Sequence, residues 1–367
     1  MKVLVVDDSA LMRRLLGTVL SEAGLQVRFS RHGREALEML TSWQPDVVTM
    51  DVNMPEMDGL TALAMLMQAR PTPVVMVSSL TERGAQATLE ALALGAVDFI
   101  AKPGGTISLN IDQIAQTLVE KVRAAARARI PAPRVSAPPA AAPSRVRAHP
   151  SPTPHATAPG VSDERPAGPR PAEGVVVIGV STGGPRTLED ILPQLPADFP
   201  WPVLVAQHMP VNFTDAFARR MDALCALRVR ECSAAMPLEP GLVVVGKGGT
   251  DMVVQRRLGR LVAEARTESP AHPWHPSVDV LMDSVLRVLS PPSVVGVLLT
   301  GMGDDGAASL TRLRQQGGRT IAESRDTAVV FGMPQELVKR GGAGVVLPCH
   351  AIARQLCGWL HTERASA

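Results

Sequence analysis

Four short apolar runs near the start of the chain each end in side chains that could bind a cation or carry a phosphoryl group. The runs stand in KVLVV-DD, PDVVTM-D, PVVMV-S and VDFIA-K, and the polar residues are Asp7, Asp8, Asp51, Ser78 and Lys102. Oxygen ligands suit a hard divalent cation, and an aspartate can accept a phosphoryl group. These residue types therefore predict a cation-assisted phosphorylation site.

Three apolar runs in the second half of the chain precede the residue types of a serine hydrolase. VVVIG, VLVA and VVGVLLT are followed, in order, by Ser181, His208 and the pair Asp304 and Asp305. A neutral imidazole can take the proton of a serine, and an aspartate on the far ring nitrogen fixes the tautomer and stabilises the imidazolium. Ser181 also precedes Gly-Gly-Pro and a predicted helix, whose N–H groups could face an oxyanion. The set predicts acyl transfer through a serine.

Helical segments between the apolar runs decide where these polar residues meet. ALMRRLLGTVLSEAG and DQIAQTLVEKVRAAARA, for example, have apolar residues at helical spacing. Strands that alternate with helices predict a parallel sheet, whose ligands bind at the carboxyl ends of the strands. We therefore expect an α/β fold in which each polar set collects on one rim of a sheet.

Each of these residues, taken alone, also has a simpler structural interpretation. An Asp or Ser after a strand is more often a helix cap or a turn former than a catalyst. Ser181 could cap the helix that follows it, His208 could be an ordinary buried histidine, and Asp304 and Asp305 could cap AASLTRLRQQ. The matching positions after three strands favour the triad over these separate interpretations.

Two motifs in the second half suggest other functions and receive less weight. Residues 179–183 spell G-x-S-x-G, the nucleophile elbow of α/β-hydrolases, but those enzymes have the chain order Ser, acid, His, whereas this chain has Ser, His, Asp. Residues 301–306 spell the dinucleotide-binding G-x-G-x-x-G, with Glu323 further on. Two aspartates inside that loop would repel a pyrophosphate, so a nucleotide-dependent enzyme is the weaker alternative.

Length and composition indicate two globular domains joined by a linker. The chain has 367 residues, 46% of them hydrophobic and 20% charged, which is enough for two separate cores. Residues 131–172 hold 12 of the 32 prolines and few large apolar side chains, so we expect a semi-extended linker without secondary structure. The predicted division is a first domain over 1–120, a helix end and linker over 121–172, and a second domain over 173–361.

The same composition argues against several classes of protein. A net charge of +2, with no basic run interleaved with aromatics, does not indicate nucleic-acid binding. No apolar stretch reaches the roughly 20 residues that a membrane span needs, and MKVLVVDD turns acidic too early for a signal peptide. The four cysteines form no C-x-x-C pair, so neither a zinc site nor a disulfide framework is indicated. We expect a reduced, cytoplasmic protein without membrane insertion.

The first polar set resembles the response-regulator receiver domain over about the first 120 residues. The resemblance rests on DD at 7–8, DVNMPEMDG at 51–59, SS at 78–79 and KP at 102–103. It implies a flavodoxin-like domain with a five-stranded parallel sheet and a chemotaxis-type histidine kinase as phosphodonor. The implied roles are phosphorylation at Asp51, Mg²⁺ binding by Asp7, Asp8, Asp51 and the backbone carbonyl of Asn53, phosphoryl contacts from Ser78 and Lys102, and an aromatic switch at Phe99.

The second half resembles the chemotaxis-specific protein-glutamate methylesterase family, CheB. The matching segments lie between Val175 and about Trp359, and they are IGVSTGGP, QHMP, HPSVDVL, LTGMGDDGA and FGMP. The resemblance implies a doubly wound, mostly parallel α/β hydrolase domain. Its expected substrates are glutamate γ-methyl esters on the cytoplasmic helices of chemoreceptors, with release of methanol, and deamidation of glutamines is the second expected activity. No cofactor is expected for hydrolysis, and the implied roles are nucleophile Ser181, base His208, acid Asp305, site-lining Thr182 and oxyanion donor Met302.

Three features depart from the family pattern. The linker is long, residues 244–251 read VVGKGGTD where members are closer to A-P-G-G followed by a histidine, and Asp304 stands where asparagine or arginine is common. A second carboxylate beside the triad would favour the protonated form of His208 through an opposite-charge interaction. This predicts an activity profile that is shifted to higher pH.

The family resemblance also implies how the two halves cooperate. We expect the unphosphorylated receiver to cover the catalytic rim, and phosphorylation of Asp51 to loosen that packing. One alternative is a second domain that binds a partner without catalysis, which would have no need to keep Ser181, His208 and Asp305 together. Another is the same hydrolase serving a receptor array with a different output.

Overall fold

The fold consists of two consecutive α/β units. The structure is a computed structural model, and it describes residues 1–79, 81–102, 111–130 and 172–364. Most of the predicted linker, residues 131–171, lies outside the described residues, as does Pro103 of the Lys-Pro pair. In the described part of the chain, no helix has both the length and the hydropathy needed to cross a membrane.

The first unit is a five-stranded parallel sheet with helices between the strands. Its elements are β1 (Lys2–Val6), α1 (Ala10–Glu22), β2 (Gln26–Ser30), α2 (Gly33–Ser42), β3 (Val47–Asp51), α3 (Gly59–Ala69), β4 (Val74–Ser78), α4 (Glu82–Leu94), β5 (Asp98–Ala101) and α5 (Ile111–Ala126). The strand order is β2-β1-β3-β4-β5. Strands β3 and β4 are buried along their whole length, which explains why they read as continuous apolar runs. The predicted five-stranded parallel domain is confirmed.

The second unit contains a larger parallel sheet and a small antiparallel one. Its elements are β6 (Val175–Val180), α6 (Gly184–Ile191), β7 (Val203–Gln207), α7 (Val211–Leu224), β8 (Arg228–Glu231), β9 (Met236–Pro237), β10 (Leu242–Val245), β11 (Asp251–Arg257), β12 (Arg260–Arg266), α8 (Val278–Leu286), β13 (Val294–Leu298), α9 (Ala307–Gln315), β14 (Arg319–Glu323), α10 (Met333–Lys339), β15 (Val345–Leu347) and α11 (Cys349–Arg364). The parallel sheet has the order β15-β14-β13-β6-β7-β10-β8, and β11-β12-β9 form the antiparallel sheet. The predicted doubly wound, mostly parallel domain is confirmed.

The strand order of the larger sheet reverses at β6. This strand pairs with β7 on one side and with β13 on the other. Helix α6 leads from β6 to β7, whereas β13 joins the opposite edge much later in the chain. Ligand sites of open α/β sheets lie at such a reversal, outside the carboxyl ends of the strands. The segments that follow β6, β7 and β13 meet at this point.

The two units pack against each other through helices and a strand end. Helix α4 of the first unit lies against α6 and α7 of the second. Phe99 on β5 and Phe213 on α7 are buried, with ring centroids 4.5 Å apart. After α5, Arg129 donates hydrogen bonds from its guanidinium to the Asp326 carbonyl and from its backbone to the Val329 carbonyl. The first unit therefore lies along the side of the second that carries α6 and α7.

Candidate active site

Ser181 lies directly after β6, at the start of a tight turn into α6. Gly183 precedes the helix with a φ of 78°, and a β-carbon there would lie 2.6 Å from the Cβ of Val329. Only glycine tolerates both this backbone conformation and this approach. The N-cap position thus belongs to Gly183, so the capping interpretation of Ser181 is wrong. The Ser181 N–H donates to the Thr300 carbonyl at 2.9 Å, which fixes the residue at the strand end.

His208 lies directly after β7, next to the strand that carries Ser181. Its backbone N–H donates to the Val180 carbonyl at 3.1 Å. The side-chain amide of Gln207 donates to the carbonyls of Ser181 and His208, at 3.0 Å and 3.1 Å, and so joins the two strand ends. Trp274 stacks on the imidazole, with ring centroids 5.2 Å apart and an interplanar angle of 8°. These contacts hold the imidazole in a fixed place beside the end of β6.

The Asp305 carboxylate is buried and accepts four hydrogen bonds from protein donors. Oδ2 accepts from His208 Nε2 at 2.8 Å and from the Val278 N–H at 2.7 Å, while Oδ1 accepts from the Ser277 hydroxyl and the Asp279 N–H, both at 3.0 Å. The two backbone donors lie at the start of α8, where the helix dipole favours a negative charge. Burial would raise the pKa of Asp305, but the bonds from His208 and these backbone groups lower it below its ordinary value.

These hydrogen bonds fix the tautomer of His208. The ionised Asp305 can only accept, so Nε2 carries the proton and Nδ1 of the neutral ring keeps its lone pair. Nδ1 is buried, and no described residue offers it a hydrogen bond, the Ser181 hydroxyl included. The nitrogen that can take a proton is therefore Nδ1, whereas in the chymotrypsin-type triad it is Nε2. The structure therefore shows an imidazole oriented by Asp305, without a hydrogen bond between its Nδ1 and the Ser181 hydroxyl.

The loop after β13 forms the third side of the site. The Thr300 hydroxyl donates to the Thr182 carbonyl at 2.8 Å. A β-carbon on Gly301 would lie 2.7 Å from the Cβ of Ser181, so only glycine allows the loop to come this close. Met302 follows and is half-buried, and its backbone N–H has no acceptor among the described residues. A free backbone donor in the loop next to Ser181 is what an oxyanion site would require.

A residue of the first domain contacts this site directly. The Thr182 hydroxyl donates to Asp98 Oδ2 at 2.6 Å, and both residues are buried. The other oxygen of Asp98 accepts from Lys121 Nζ at 2.8 Å and from the Phe99 N–H at 2.7 Å. Thr182, which the family resemblance places in the substrate site, is therefore held by the strand that carries the predicted aromatic switch.

Asp304 has a different environment from its neighbour Asp305. Its carboxylate accepts from the Arg340 guanidinium at 2.9 Å, and the side chain is 64% exposed. An exposed ion pair of this kind is screened by solvent. No contact between Asp304 and His208 is present in the described part of the chain, so the expected influence on the pH profile has no direct structural support.

The predicted carboxylates and lysine of the first domain form one cluster. Asp7, Asp8 and Asp51 place ligand oxygens within 4.8 Å of one another. Lys102 Nζ lies 2.7 Å from Asp51 Oδ2 and 3.0 Å from Asp7 Oδ2. Burial raises the pKa of Asp51 above its ordinary value, although the Lys102 ammonium opposes the shift. Three carboxylates that offer only oxygen ligands fit a hard divalent cation such as Mg²⁺.

Three further predicted residues of the first domain lie around this cluster. The Ser78 hydroxyl donates to the Gly84 carbonyl at 3.1 Å and makes no hydrogen bond to Asp51. The backbone N–H of Asn53 lies close enough to the Asp51 carboxylate to lower its pKa, against the effect of burial. Phe99 is buried at the domain interface. The phosphoryl contact of Ser78, the Mg²⁺ contact of the Asn53 carbonyl and the switch role of Phe99 stay predictions.

Several residues that hold the site were not found from the sequence. Their only signal in the sequence is that they lie in or next to predicted motifs: Gln207 precedes His208, Asp98 precedes Phe99, Trp274 precedes HPSVDVL and Ser277 lies within it. Their roles depend on contacts between segments far apart in the chain, which a spacing argument cannot supply.

Comparison with known proteins covers both units. The family model described as CheB methylesterase matches residues 176–356, and the one described as response regulator receiver domain matches residues 3–111. A protein-glutamate methylesterase/protein-glutamine glutaminase 3 of Rhodospirillum rubrum is 55% identical over 361 residues, with 98% of this chain and 96% of the relative covered. Protein-glutamate methylesterase/protein-glutamine glutaminase 2 of Rhodopseudomonas palustris is 50% identical over 371 residues, with 99% of each covered. Among solved structures, the Thermotoga maritima CheB methylesterase catalytic domain is 37% identical, covers 50% of this chain and 96% of its own, and has a TM-score of 0.48.

Proposed function

Since this chain belongs to the CheB methylesterase family and carries a response regulator receiver domain, we propose that it is a phosphorylation-activated serine hydrolase. Its substrates are glutamate γ-methyl esters on the cytoplasmic helices of chemoreceptors, and it deamidates glutamines at such sites as well. The relatives' names carry both activities. The observation that carries the proposal for this chain is the 2.8 Å bond from His208 Nε2 to Asp305, which leaves Nδ1 as the base beside the strand end of Ser181.

The chemistry follows from the position of these groups. The Ser181 hydroxyl attacks the ester carbonyl while its proton passes to His208 Nδ1, and Asp305 stabilises the imidazolium. The Met302 N–H and the start of α6 stabilise the oxyanion. The imidazolium then gives its proton to the leaving methoxide, so methanol departs and an acyl-serine remains. Water, activated by the same imidazole, releases the glutamate. An amide substrate loses ammonia by the same route, and no step needs a metal.

The receiver domain supplies the control. Asp51 accepts a phosphoryl group from a chemotaxis-type histidine kinase, and Asp7, Asp8 and the Asn53 carbonyl complete the Mg²⁺ site with it. Mg²⁺ would neutralise charge on the phosphoryl oxygens, while Ser78 and Lys102 bind those oxygens.

Two contacts support inhibition by the unphosphorylated receiver. The Asp98 carboxylate accepts the hydrogen bond of the Thr182 hydroxyl, next to the nucleophile, and Phe99 packs against Phe213. A phosphoryl group shifts the equilibrium only if it favours the open arrangement over this closed one. Phe99 and Asp98 are neighbours on β5, so a movement of the aromatic switch would draw the carboxylate away from Thr182.

Methanol release from a methyl-labelled receptor tests the proposal. The full chain is incubated with the receptor, with and without Mg²⁺ and a small phosphodonor such as acetyl phosphate, and volatile methanol is counted. We expect release that rises with the phosphodonor, and no release from Ser181→Ala, which still becomes phosphorylated at Asp51. A phosphorylated wild-type chain that releases no methanol would favour the alternative of a second domain that binds without catalysis.

A further inference from the structure

Glu323 is a buried carboxylate that the proposed mechanism does not use. It ends β14, is fully buried, and in the sequence follows the dinucleotide-type motif as its acidic residue. Its Oε2 accepts from the Thr300 N–H at 2.8 Å, and its Oε1 accepts from the Thr327 hydroxyl at 2.8 Å. With both oxygens directed at protein donors, Glu323 does not offer a carboxylate to a ribose.

Thr300, which Glu323 holds, is the junction between the nucleophile and the loop of the catalytic acid. Its carbonyl accepts from the Ser181 N–H at 2.9 Å, and its hydroxyl donates to the Thr182 carbonyl at 2.8 Å. The same hydroxyl accepts from the Val330 N–H at 2.9 Å. The next residues in the chain form the loop with Met302 and Asp305. A shift of Thr300 would therefore move the nucleophile relative to the groups that act on it.

We propose that Glu323 is a positioning residue for the acyl-transfer step: by accepting the Thr300 N–H, it sets the distance between Ser181 and the loop of Met302 and Asp305. This inference rests on the proposed function. Glu323 touches neither the nucleophile nor the base, so its effect passes through Thr300. An acceptor is needed here because a buried N–H without a partner costs free energy, which a movement of the strand end would relieve.

The role requires an acceptor oxygen and not a charge. Burial raises the pKa of Glu323 to about 7, although the bonds from Thr300 and Thr327 oppose the shift. A glutamine has nearly the same shape, and its carbonyl oxygen can accept the Thr300 N–H while its NH₂ donates to the Thr327 hydroxyl. Alanine removes both acceptors. The pair Glu323→Gln and Glu323→Ala therefore separates positioning by an acceptor from any requirement for ionisation.

The experiment compares these variants in two assays, both with Mg²⁺ and acetyl phosphate present. One is steady-state methanol release from the methylated receptor, and the other is the rate of covalent labelling of Ser181 by a fluorophosphonate. For Glu323→Ala we expect kcat and the labelling rate to fall roughly 10- to 100-fold, with KM nearly unchanged, because a small misplacement of reacting groups has effects of this size. Glu323→Gln should restore both to within a few-fold of wild type.

A matched control separates positioning from a general loss of stability. Glu264→Ala removes another buried glutamate, one that pairs with Arg257 and Arg266 on the small antiparallel sheet. We expect this variant to unfold at a lower temperature and to keep the wild-type labelling rate. Equal labelling rates for Glu323→Ala and wild type, or a Glu323→Gln variant as slow as Glu323→Ala, would overturn the proposal. Failure of the proposed function gives another pattern, in which the wild-type chain is labelled but releases no methanol.

Discussion

Asp51 and Asp305 are buried aspartates on the rims of two parallel sheets, yet the net shifts of their pKa values have opposite directions. Asp51 is the last residue of β3, and Asp305 lies in the loop after β13. Each faces one basic side chain, Lys102 or His208. The pKa of Asp51 is raised above its ordinary value, mainly by burial, whereas the pKa of Asp305 is lowered. Asp305 accepts four hydrogen bonds, two of them from the start of α8, which stabilise its charge. At Asp51 the neighbouring Asp7 carboxylate adds to the effect of burial.

This difference suits Asp51 to react with a phosphoryl group and Asp305 to orient the imidazole of His208. A carboxylate whose lone pairs are all engaged is stabilised as an anion and is a poor nucleophile, but it orients an imidazole well. Asp51 keeps free lone pairs beside two other carboxylates, so it can bind a cation and attack a phosphoryl group. Under the proposed function, the same residue type on two sheet rims would serve two reactions, and the surrounding hydrogen-bond donors would decide which.

The largest effect should come from removing the charge of the supporting aspartate. In Asp305→Asn the amide would direct its NH₂ at donors, either the His208 Nε2–H or the backbone N–H groups of α8, and the tautomer of His208 would no longer be fixed. We expect kcat for methanol release to fall roughly 10³- to 10⁴-fold, as in other triads that lose this charge. Steady-state kinetics with the phosphorylated chain measures the loss.

Phosphorylation is the internal control for this variant. Asp305→Asn should still incorporate phosphate at Asp51 from acetyl phosphate at the wild-type rate, since the receiver site shares no residue with the triad. A variant with kcat within ten-fold of wild type would mean that the two aspartates do not differ in the way described.

The reactive aspartate should show the complementary pattern. Asp51→Asn keeps the shape of the side chain but removes the nucleophilic carboxylate, so acetyl phosphate should no longer stimulate methanol release. The basal rate without phosphodonor should stay within about two-fold of wild type, because the triad is untouched. Parallel assays with and without phosphodonor check this, and stimulation that survives in Asp51→Asn would place phosphorylation elsewhere.

The part of the site that follows strand ends could be predicted from the sequence, and the part that depends on distant packing could not. Ser181, His208 and Asp305 each lie a few residues beyond an apolar run. A parallel sheet brings such positions together, so their approach can be predicted from the order of strands and helices. The nitrogen of His208 that faces Asp305 follows from how α8 meets the loop after β13. No local pattern contains that approach.

The contact between Asp98 and Thr182 illustrates the same limit. It depends on how the sheets of two domains pack against each other, and the composition of the linker between them specifies no geometry. Likewise, Asp304 and Asp305 are adjacent in sequence, but only one turns inward, and the sequence-based assignment of the acid came from family resemblance and not from spacing.

Loss of the hydrogen bond between Asp98 and Thr182 should have a smaller effect than the substitution of Asp305 or Asp51. Asp98→Ala removes the acceptor of the Thr182 hydroxyl, while the packing of Phe99 against Phe213 remains. A hydrogen bond to a charged group contributes about 1.5–3 kcal/mol, of which only the difference between closed and open states counts, so we expect basal methanol release to rise about 3- to 10-fold. The increase should shrink when acetyl phosphate is present, because the phosphorylated receiver no longer holds the closed state.

An exposed contact at the same interface is the matched control. Glu82 on α4 lies 4.0 Å from Arg219 on α7, and both side chains are mostly exposed. Exposed ion pairs contribute about 0–1 kcal/mol, so Glu82→Ala should change the basal rate by less than about two-fold. If Asp98→Ala behaved like Glu82→Ala, the hydrogen bond to Thr182 would have no part in holding the receiver closed.

The smallest effect is expected at Asp304, the aspartate that departs from the family pattern and precedes Asp305 in the chain. Its carboxylate pairs with Arg340 in solvent, whereas a charge must be close to the imidazole, or share a low-dielectric site with it, to change its behaviour. We therefore expect Asp304→Asn to leave the pH dependence of kcat/KM unchanged, against the shift that the sequence suggests. The measurement is the pH–rate profile of both proteins between about pH 5 and 9, a range that includes the ordinary titration of an imidazole. A displaced profile in Asp304→Asn would show that its charge reaches the triad despite the ion pair, and the contrast between supporting and solvent-exposed carboxylates would then be weaker than the geometry indicates.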